Sequence, residues 1–382
     1  MSCRILAYTL YICTQQTTPA YPRCVLGVVF YFIAIVILYK KPFLTYLEQI
    51  EKLEKRGLKI KNKSKALHLL ENLSYYRLSG YLYPMLTENK ENHKFKDDST
   101  FESAFKMYCF DRELRLLVLS NLEKIEVSFR AKLTYVFANK YDTFWYTYDK
   151  LFKNNGIHQN SIEAVNKLYI DSTEDFVIKY KRKYINNFLP SWMGMEIVTF
   201  THLSKLYENA KDTAAKAEIS SYYGLPYQMF ENWLLMLTYV RNICAHHSRF
   251  WNREFSIKVR KTNKPLPNNW IEQSGIARNK AYIYLSIIKY ILDCINPKNS
   301  FKVNLLELFE KYPSIDYKRS MAFPENWKEQ PLWNLENNSV KDMKKENVEK
   351  IPEAKEDKLH IEGSLDDVLK VSVPKPKEKE TK

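Results

Sequence analysis

Hydrophobic residues recur along this chain with the spacing of amphipathic helices. The segment 43–80 contains two such patterns, the second of which ends at Gly80, a plausible C-cap. A longer pattern runs from Phe101 to about Phe137 and follows the N-cap signal Ser99-Thr100. Further helical patterns cover residues 193–207, 227–251, 276–295 and 303–312. With only 8 glycines and few other breakers between these runs, the sequence predicts an all-α protein.

Changes in composition divide the chain into three predicted segments. Residues 1–40 form a leader that contains an apolar run at 24–39. Residues 41–334 hold the helical patterns and form the predicted main domain. Residues 335–382 are charged and nearly free of aromatic residues, which is typical of a disordered tail.

The apolar run 24–39 is short for a membrane-spanning helix, which needs about 20 residues. It could be a short membrane anchor, an uncleaved signal-like segment, or an extension from an upstream start codon. We favour the last of these, because a natural domain start follows at residues 41–43. If the run is an anchor, the flanking Lys40 and Lys41 predict that the main domain lies on the cytoplasmic side.

The overall charge and the cysteines narrow the classes of function. The formal net charge is +15, which suits a polyanionic partner such as RNA or DNA but also a well-solvated basic surface. Glycine-rich phosphate loops are absent, which argues against Rossmann and P-loop enzymes. The six cysteines lack the spacing of zinc ligands, so we interpret them as reduced thiols and expect a cytoplasmic protein.

Aromatic and basic residues alternate between residues 141 and 190. The aromatic members include Tyr141, Phe144, Trp145, Tyr146 and Tyr148, and the basic ones follow at 179–184. This mixture suits base stacking and phosphate contact in single-stranded RNA. The same residues could equally be structural, with the aromatic ones in the hydrophobic core and the basic ones on the rim around it.

The segment 227–251 carries the candidate chemistry. Placed on a helix at about 100° per residue, its apolar residues form one stripe, while Arg241, Asn242 and His246 lie on the opposite arc. Asn242 and His246 are four residues apart and therefore neighbours. His247 falls on the apolar stripe, so we expect it to pack.

Arginine, asparagine and histidine on one polar arc suit the cleavage of RNA without a metal. Histidine can move protons near neutral pH, and arginine binds phosphate oxygens and can stabilise an extra negative charge. Asparagine can orient the imidazole. No carboxylate cluster accompanies these residues in the sequence, so we predict no metal and no cofactor, with the 2′-OH of RNA as the nucleophile. The alternative is a helix end whose cations favour the helix dipole.

The stretch RNICAHH resembles the R-N-x-x-x-H signature of HEPN ribonucleases. Four further blocks, KPFLTYLEQIEKLEKRGL, YYRLSGYLYP, FDRELRLLVLSNLEKIEVSFR and MAFPENWKEQPLW, resemble the Abi family of bacterial abortive-infection phage-resistance proteins of the AbiD/AbiF type. The resemblance covers about residues 41–334, in matching order. It does not extend to the leader or the tail.

This resemblance implies an all-α, HEPN-like helical bundle with additional helices and with Arg241 and His246 as the catalytic pair. Asn242 would be the polar residue commonly found after the arginine. The resemblance also implies a homodimer with a composite site, an RNA substrate, and a small non-coding RNA as a plausible further partner. His247 is a possible supporting residue. Glu126 and Arg130 could orient the site, or form only a surface ion pair.

The expected function is therefore a metal-independent endoribonuclease that acts in abortive-infection phage defence. The alternative is a non-catalytic RNA-binding or regulatory defence protein, which residues 24–39 could tether to a membrane. Salt-dependent binding of RNA that survives loss of His246 would favour this alternative.

Overall fold

A computed structural model describes residues 38, 41–260, 267, 269–272 and 274–334. These residues form α-helices and short 3₁₀ helices, with isolated β-bridges but no strand among them. The prediction of an all-α fold is therefore confirmed. The predicted leader, apart from Leu38, and the predicted tail at 335–382 lie outside the described residues, and the statements about them stay predictions.

The α-helices of the described residues are α1 (Tyr46–Lys55), α2 (Lys63–Leu73), α3 (Tyr75–Leu82), α4 (Phe101–Lys140), α5 (Asn155–Asp171), α6 (Asp175–Lys183), α7 (Ser191–Ile197), α8 (Phe200–Asn209), α9 (Thr213–Ser221), α10 (Tyr227–Ala245), α11 (Ala281–Ile295), α12 (Phe301–Lys311) and α13 (Tyr317–Met321).

The chain divides into two compact units, Met1–Gln49 and Ile50–Lys382. In the first unit, the carboxylate of Glu48 accepts hydrogen bonds from the backbone N–H of Thr45 at 2.7 Å and from its hydroxyl at 2.8 Å. Such reciprocal bonding between a residue before a helix and one in its first turn satisfies donors that would otherwise lack partners, and it marks the start of α1.

The second unit is organised around α4, a helix of 40 residues that is about 60 Å long. It begins where the hydroxyl of Thr100 accepts a hydrogen bond from the N–H of Ser103 at 3.0 Å, as the sequence predicted. Its core stripe includes the fully buried Leu114, Val118 and Phe129. Along its length α4 contacts α3 and every helix from α7 to α12, so it supports most of the elements near the candidate site.

The second central helix is α11, in which every residue from Ala281 to Asp293 is buried. It is mostly apolar around its whole circumference, and its buried Lys289 and Asp293 pair with each other, so other elements must surround it. It packs against α4 and α10. The indole N–H of Trp333 donates to the hydroxyl of Ser286 at 3.2 Å, which ties the end of the described chain to this helix.

Several predicted helix boundaries are wrong, two of them before the candidate site in the chain. The helix break in segment 43–80 lies at Ser74, with a φ of 63°, whereas Gly80 lies inside α3. The hydroxyl of Ser74 accepts from the N–H of Arg77 at 3.4 Å and so begins α3. The single helix predicted at 193–207 divides into α7 and α8, because Val198 and Thr199 are extended.

No helix of the described residues is both long and apolar enough to cross a membrane. Most of the apolar run at 24–39 lies outside these residues.

Candidate functional site

The candidate site lies where α10 ends. His246 is the last residue with the i to i−4 bond of an α-helix, because its N–H donates to the carbonyl of Asn242 at 2.9 Å. His247 then adopts a left-handed conformation with a φ of 55°. The N–H of His247 donates to the carbonyl of Cys244 at 3.1 Å, and that of Ser248 donates to the carbonyl of Ile243 at 2.9 Å. This pair of bonds is a Schellman motif, which terminates a helix and reverses the chain.

The early end of α10 corrects the prediction for His247. The sequence analysis extended an ideal helix to Trp251 and placed His247 on the apolar stripe. Since the helix stops at Ala245, the helical spacing no longer applies, and both His246 and His247 are exposed. His247 does not pack into the core.

The two residues of the predicted catalytic pair have free polar groups. The imidazole of His246 is exposed and forms no hydrogen bond with another described residue. The side chain of Arg241 is 35% exposed, and its Nε lies 3.9 Å from a carboxylate oxygen of Glu126. Its two terminal nitrogens have no partner among the described residues. Both side chains are therefore available to a ligand.

Glu126 and Arg130 form a largely buried network beside Arg241 rather than a surface ion pair. Their side chains are 14% and 13% exposed and lie 2.7 Å apart. Arg130 also donates to the backbone carbonyls of Glu196 and Val198, at 2.9 and 3.2 Å. These bonds join α4 to the turn between α7 and α8. Glu126 thus has a fixed position from which its charge can orient the guanidinium of Arg241.

The side chain of Asn242 contacts α8, whereas the sequence analysis suggested that it orients the imidazole of His246. Its side-chain amide donates to the hydroxyl of Thr201 on α8 at 3.4 Å. Its contact with His246 is made by the backbone carbonyl, as described above. In this arrangement, Asn242 positions the end of α10 against α8, and its amide does not hydrogen-bond the imidazole.

A buried carboxylate holds the chain that follows the turn. Asp111 on α4 accepts hydrogen bonds from the hydroxyl of Tyr81 at 2.6 Å and from the backbone N–H groups of Phe250 and Trp251 at 3.1 and 2.6 Å. It also pairs with Arg115, which contacts Tyr81 as well. Asp111 and Arg115 have the spacing of an ordinary surface ion pair on a helix, but both are buried.

Two further contacts fasten the turn to α3. The guanidinium of Arg77 donates to the carbonyl of His247 at 2.8 Å, and Arg249 donates to the carbonyl of Gly80. The blocks YYRLSGYL, FDRELR and RNICAHHSRFW are far apart in the sequence but meet here. Composition and helical spacing gave no sign of this meeting. One signal was Arg77, the single charged residue of α3.

Burial changes the acidity of two groups next to the site. It raises the pKa of the Cys244 thiol to about 12, and the nearby charge of Asp111 acts in the same direction. Cys244 therefore stays protonated at neutral pH and is a packing residue rather than a nucleophile. Burial and the charge of Asp111 also raise the pKa of Tyr81, which keeps its hydroxyl a hydrogen-bond donor.

The aromatic-basic stretch 141–190 divides into a core part and a surface part. Trp145 and Tyr146 are completely buried, so they cannot stack on RNA bases, and for them the alternative of core residues is correct. Residues 181–187 are all exposed. This run of residues is therefore open to contact with a nucleic acid.

Comparison with known proteins links this geometry to a family. Residues 68–252 match the sequence model of the Abi-like protein family. This segment belongs to the Abi-like family. The match begins in α2 and ends just after the turn that follows His246, so it includes α3, α4, α10 and the contacts among them. The blocks quoted at residues 41–58 and 321–333 lie outside it.

Membership in the Abi-like family supports a role in abortive-infection phage defence. A search of curated proteins found no match, and neither did a search of solved structures. The resemblance of residues 241–247 to a HEPN motif, and the chemistry that it implies, therefore stay predictions from the sequence.

Proposed function

We propose that this Abi-like protein is a metal-independent endoribonuclease that acts in abortive-infection phage defence. The observation that carries the proposal is the pair of free polar groups at the end of α10. The exposed imidazole of His246 and the unpartnered terminal nitrogens of Arg241 belong to one short segment. The turn of this segment is fixed by Arg77 and Asp111.

In the proposed reaction, the 2′-oxygen of a ribose attacks the adjacent phosphorus, and the bond from phosphorus to the 5′-oxygen breaks. His246 acts as general base or acid, either accepting the proton of the 2′-OH or supplying one to the leaving 5′-oxygen. Arg241 binds the phosphate and stabilises the negative charge that develops on its oxygens. Asn242 and Glu126 position these groups. The products are a 2′,3′-cyclic phosphate and a free 5′-OH.

A homodimer would supply the second proton-transfer group. One chain has a single His246, whereas this cleavage needs one group to remove a proton and another to donate one. Two copies related by a two-fold axis would each contribute one Arg241 and one His246 to a composite site. A small non-coding RNA as a partner remains part of the proposal.

The decisive experiment is cleavage of RNA by the purified full-length chain in the presence of a chelator. We expect cleavage that leaves 2′,3′-cyclic phosphate ends and that falls by about 100-fold or more in His246→Ala and in Arg241→Ala. His68→Ala and Arg112→Ala are matched controls, because both residues are exposed on other helices. Cleavage that requires a divalent metal, or that persists in both site variants, would reject the proposal.

A non-catalytic RNA-binding protein is the second candidate, and the exposed basic residues at 181–183 favour it. This alternative predicts salt-dependent RNA binding without cleavage, equal in the wild type and in His246→Ala. Growth arrest on expression that is unchanged by His246→Ala and Arg241→Ala would support it over the nuclease.

A further inference from the structure

A second surface lies one helical turn from the network beside Arg241. Exposed aromatic and basic side chains lie in the last turn of α6, in the residues just after it, and in the first turn of α7. Trp192 is 54% exposed, Tyr184 is 45% exposed, and Ile185 is fully exposed to solvent. We call this set the α6–α7 end; it consists of Arg182, Lys183, Tyr184, Ile185 and Trp192.

The members of the α6–α7 end lie at the same end of two antiparallel helices. Glu174 and Phe176, at the start of α6, line a concavity together with Glu196 and Ile197, at the end of α7. The opposite ends of the two helices are joined by residues 184–190, which fold back because the hydroxyl of Tyr180 donates to the carbonyl of Phe188 at 3.2 Å. This bond holds the loop before α7 against the last turn of α6.

The cations at this end are not neutralised by the protein. Among the described residues, Arg182 and Lys183 have no acidic partner within 4.0 Å. Lys183 lies 5.2 Å from the centre of the Tyr184 ring, and the rings of Tyr180 and Tyr184 are 4.8 Å apart. Positive charge and flat ring surface thus occur together at one exposed place.

The α6–α7 end is connected to the candidate site through α7. Trp192 and Glu196 are four residues apart and both exposed, so they share one face of the helix about 6 Å apart along its axis. The carboxylate of Glu196 lies 3.1 Å from Arg130, which pairs with Glu126 beside Arg241. Trp192 therefore lies one helical turn from a residue of the network beside Arg241.

We propose that the α6–α7 end binds single-stranded RNA, with Trp192 and Tyr184 stacking on bases and Arg182 and Lys183 contacting phosphates. This inference rests on the proposed function, because it assigns the surface to the strand that Arg241 and His246 cut. A single strand exposes the faces of its bases to aromatic side chains, whereas a duplex hides them. The surface therefore selects unpaired segments as substrates.

The test measures binding of a short fluorescein-labelled oligoadenylate to the full-length His246→Ala protein, in which the RNA stays intact. Arg182→Gln/Lys183→Gln should weaken binding and reduce the slope of log affinity against log salt by about 1.4, since each single-strand phosphate contact contributes about 0.7. Trp192→Ala should weaken binding roughly tenfold, and Trp192→Phe should retain most of the affinity because it keeps a stacking ring.

Lys94→Gln/Lys96→Gln is the matched control, since both lysines are exposed and the variant removes the same charge. An unchanged affinity in Arg182→Gln/Lys183→Gln and Trp192→Ala would overturn the inference. Tighter binding of an RNA duplex than of the oligoadenylate would also overturn it. So would binding of this surface to anionic phospholipid vesicles in place of RNA.

The outcomes separate this inference from the proposed function. If the wild type cleaves RNA while these variants bind and cleave it equally well, the surface assignment fails and the nuclease stands. If the wild type neither binds nor cleaves RNA, both fail. Comparison of Trp192→Phe with Trp192→Ala distinguishes loss of a stacking ring from loss of the fold.

Discussion

Among single residues, Asp111 does the most to fix the chain that follows His246. Its carboxylate lies inside the domain and accepts bonds from a phenol, a guanidinium and two backbone N–H groups. Burial raises its pKa, and the positive charge of Arg115 opposes that shift. A buried group with so many donors around it can be replaced only by another strong acceptor.

We therefore expect Asp111→Asn to lower the free energy of unfolding by about 3–5 kcal/mol, because it leaves the charge of Arg115 buried without a partner. Urea unfolding followed by circular dichroism measures the change. Glu113→Gln, on the same helix, is the control. Its carboxylate pairs with Lys311 and is 30% exposed, so the loss should be about 1 kcal/mol or less. Equal losses in the two variants would contradict the role assigned to Asp111.

Asp212 provides a pH-dependent contribution to stability. Partial burial disfavours its charge, but hydrogen bonds from Lys140, Tyr141 and the N–H of Ala215 prevail and lower its pKa to about 2. Because the folded pKa lies below the unfolded one of about 3.9, the carboxylate stabilises the fold at neutral pH, and this contribution is lost as the pH falls from about 4 to 2.

The measurement for Asp212 is unfolding of the wild type and Asp212→Asn at several pH values. The variant should be less stable by about 2 kcal/mol at pH 7, and the difference should shrink below about pH 4. A difference that is the same at pH 7 and at the lowest pH at which both proteins fold would contradict the assignment.

At the scale of elements, the end of α10 decides where the candidate chemistry lies. A Schellman motif usually has glycine or asparagine at its left-handed position, and here that position is His247. The contact that holds it, from Arg77, is made to its backbone carbonyl. The imidazole of His247 is therefore not needed for the geometry of the turn.

His247→Gly should stabilise the protein by up to about 1 kcal/mol, because glycine adopts a positive φ without steric penalty. It should also leave RNA cleavage unchanged. His247→Val should destabilise the protein, since a β-branched side chain is strained at this φ. Thermal unfolding and the cleavage assay are the measurements. Loss of cleavage in a stable His247→Gly protein would give the imidazole a part in the reaction.

The strongest helices could be predicted from the sequence, whereas their ends and their charged interiors could not. The pattern of α4 is long and regular, and its cap at Thr100 has a recognisable side chain. The end of α10 has no glycine to mark it, and the break at Ser74 has no glycine or proline. The pair Asp111 and Arg115 has the spacing of an ordinary surface ion pair, because spacing carries no information about burial. For the same reason, the sequence predicted that Arg241 and His246 lie on one arc of a helix, but it did not predict that Arg77 and Asp111 hold the chain after them.

At the scale of the whole molecule, the proposed composite site predicts a homodimer. Light scattering of the full-length chain should give twice its mass of 45.5 kDa. Mixing an excess of Arg241→Ala chain with the wild type should lower cleavage per wild-type chain, because mixed pairs have an incomplete site. A monomer that cleaves RNA at full rate would reject the composite site while leaving the assignment of Arg241 and His246 in place.

The bond between Arg77 and the carbonyl of His247 joins residues 170 positions apart, and Asp111 bonds to the N–H of Phe250 across 139 positions. During synthesis, neither contact can form before the ribosome has released the segment after α10. A chain truncated before Phe250 has Asp111 but lacks the backbone groups that Asp111 holds, so the turn after His246 is not fixed. For a protein whose proposed activity harms the cell that makes it, copies cut short at that point would therefore be inactive.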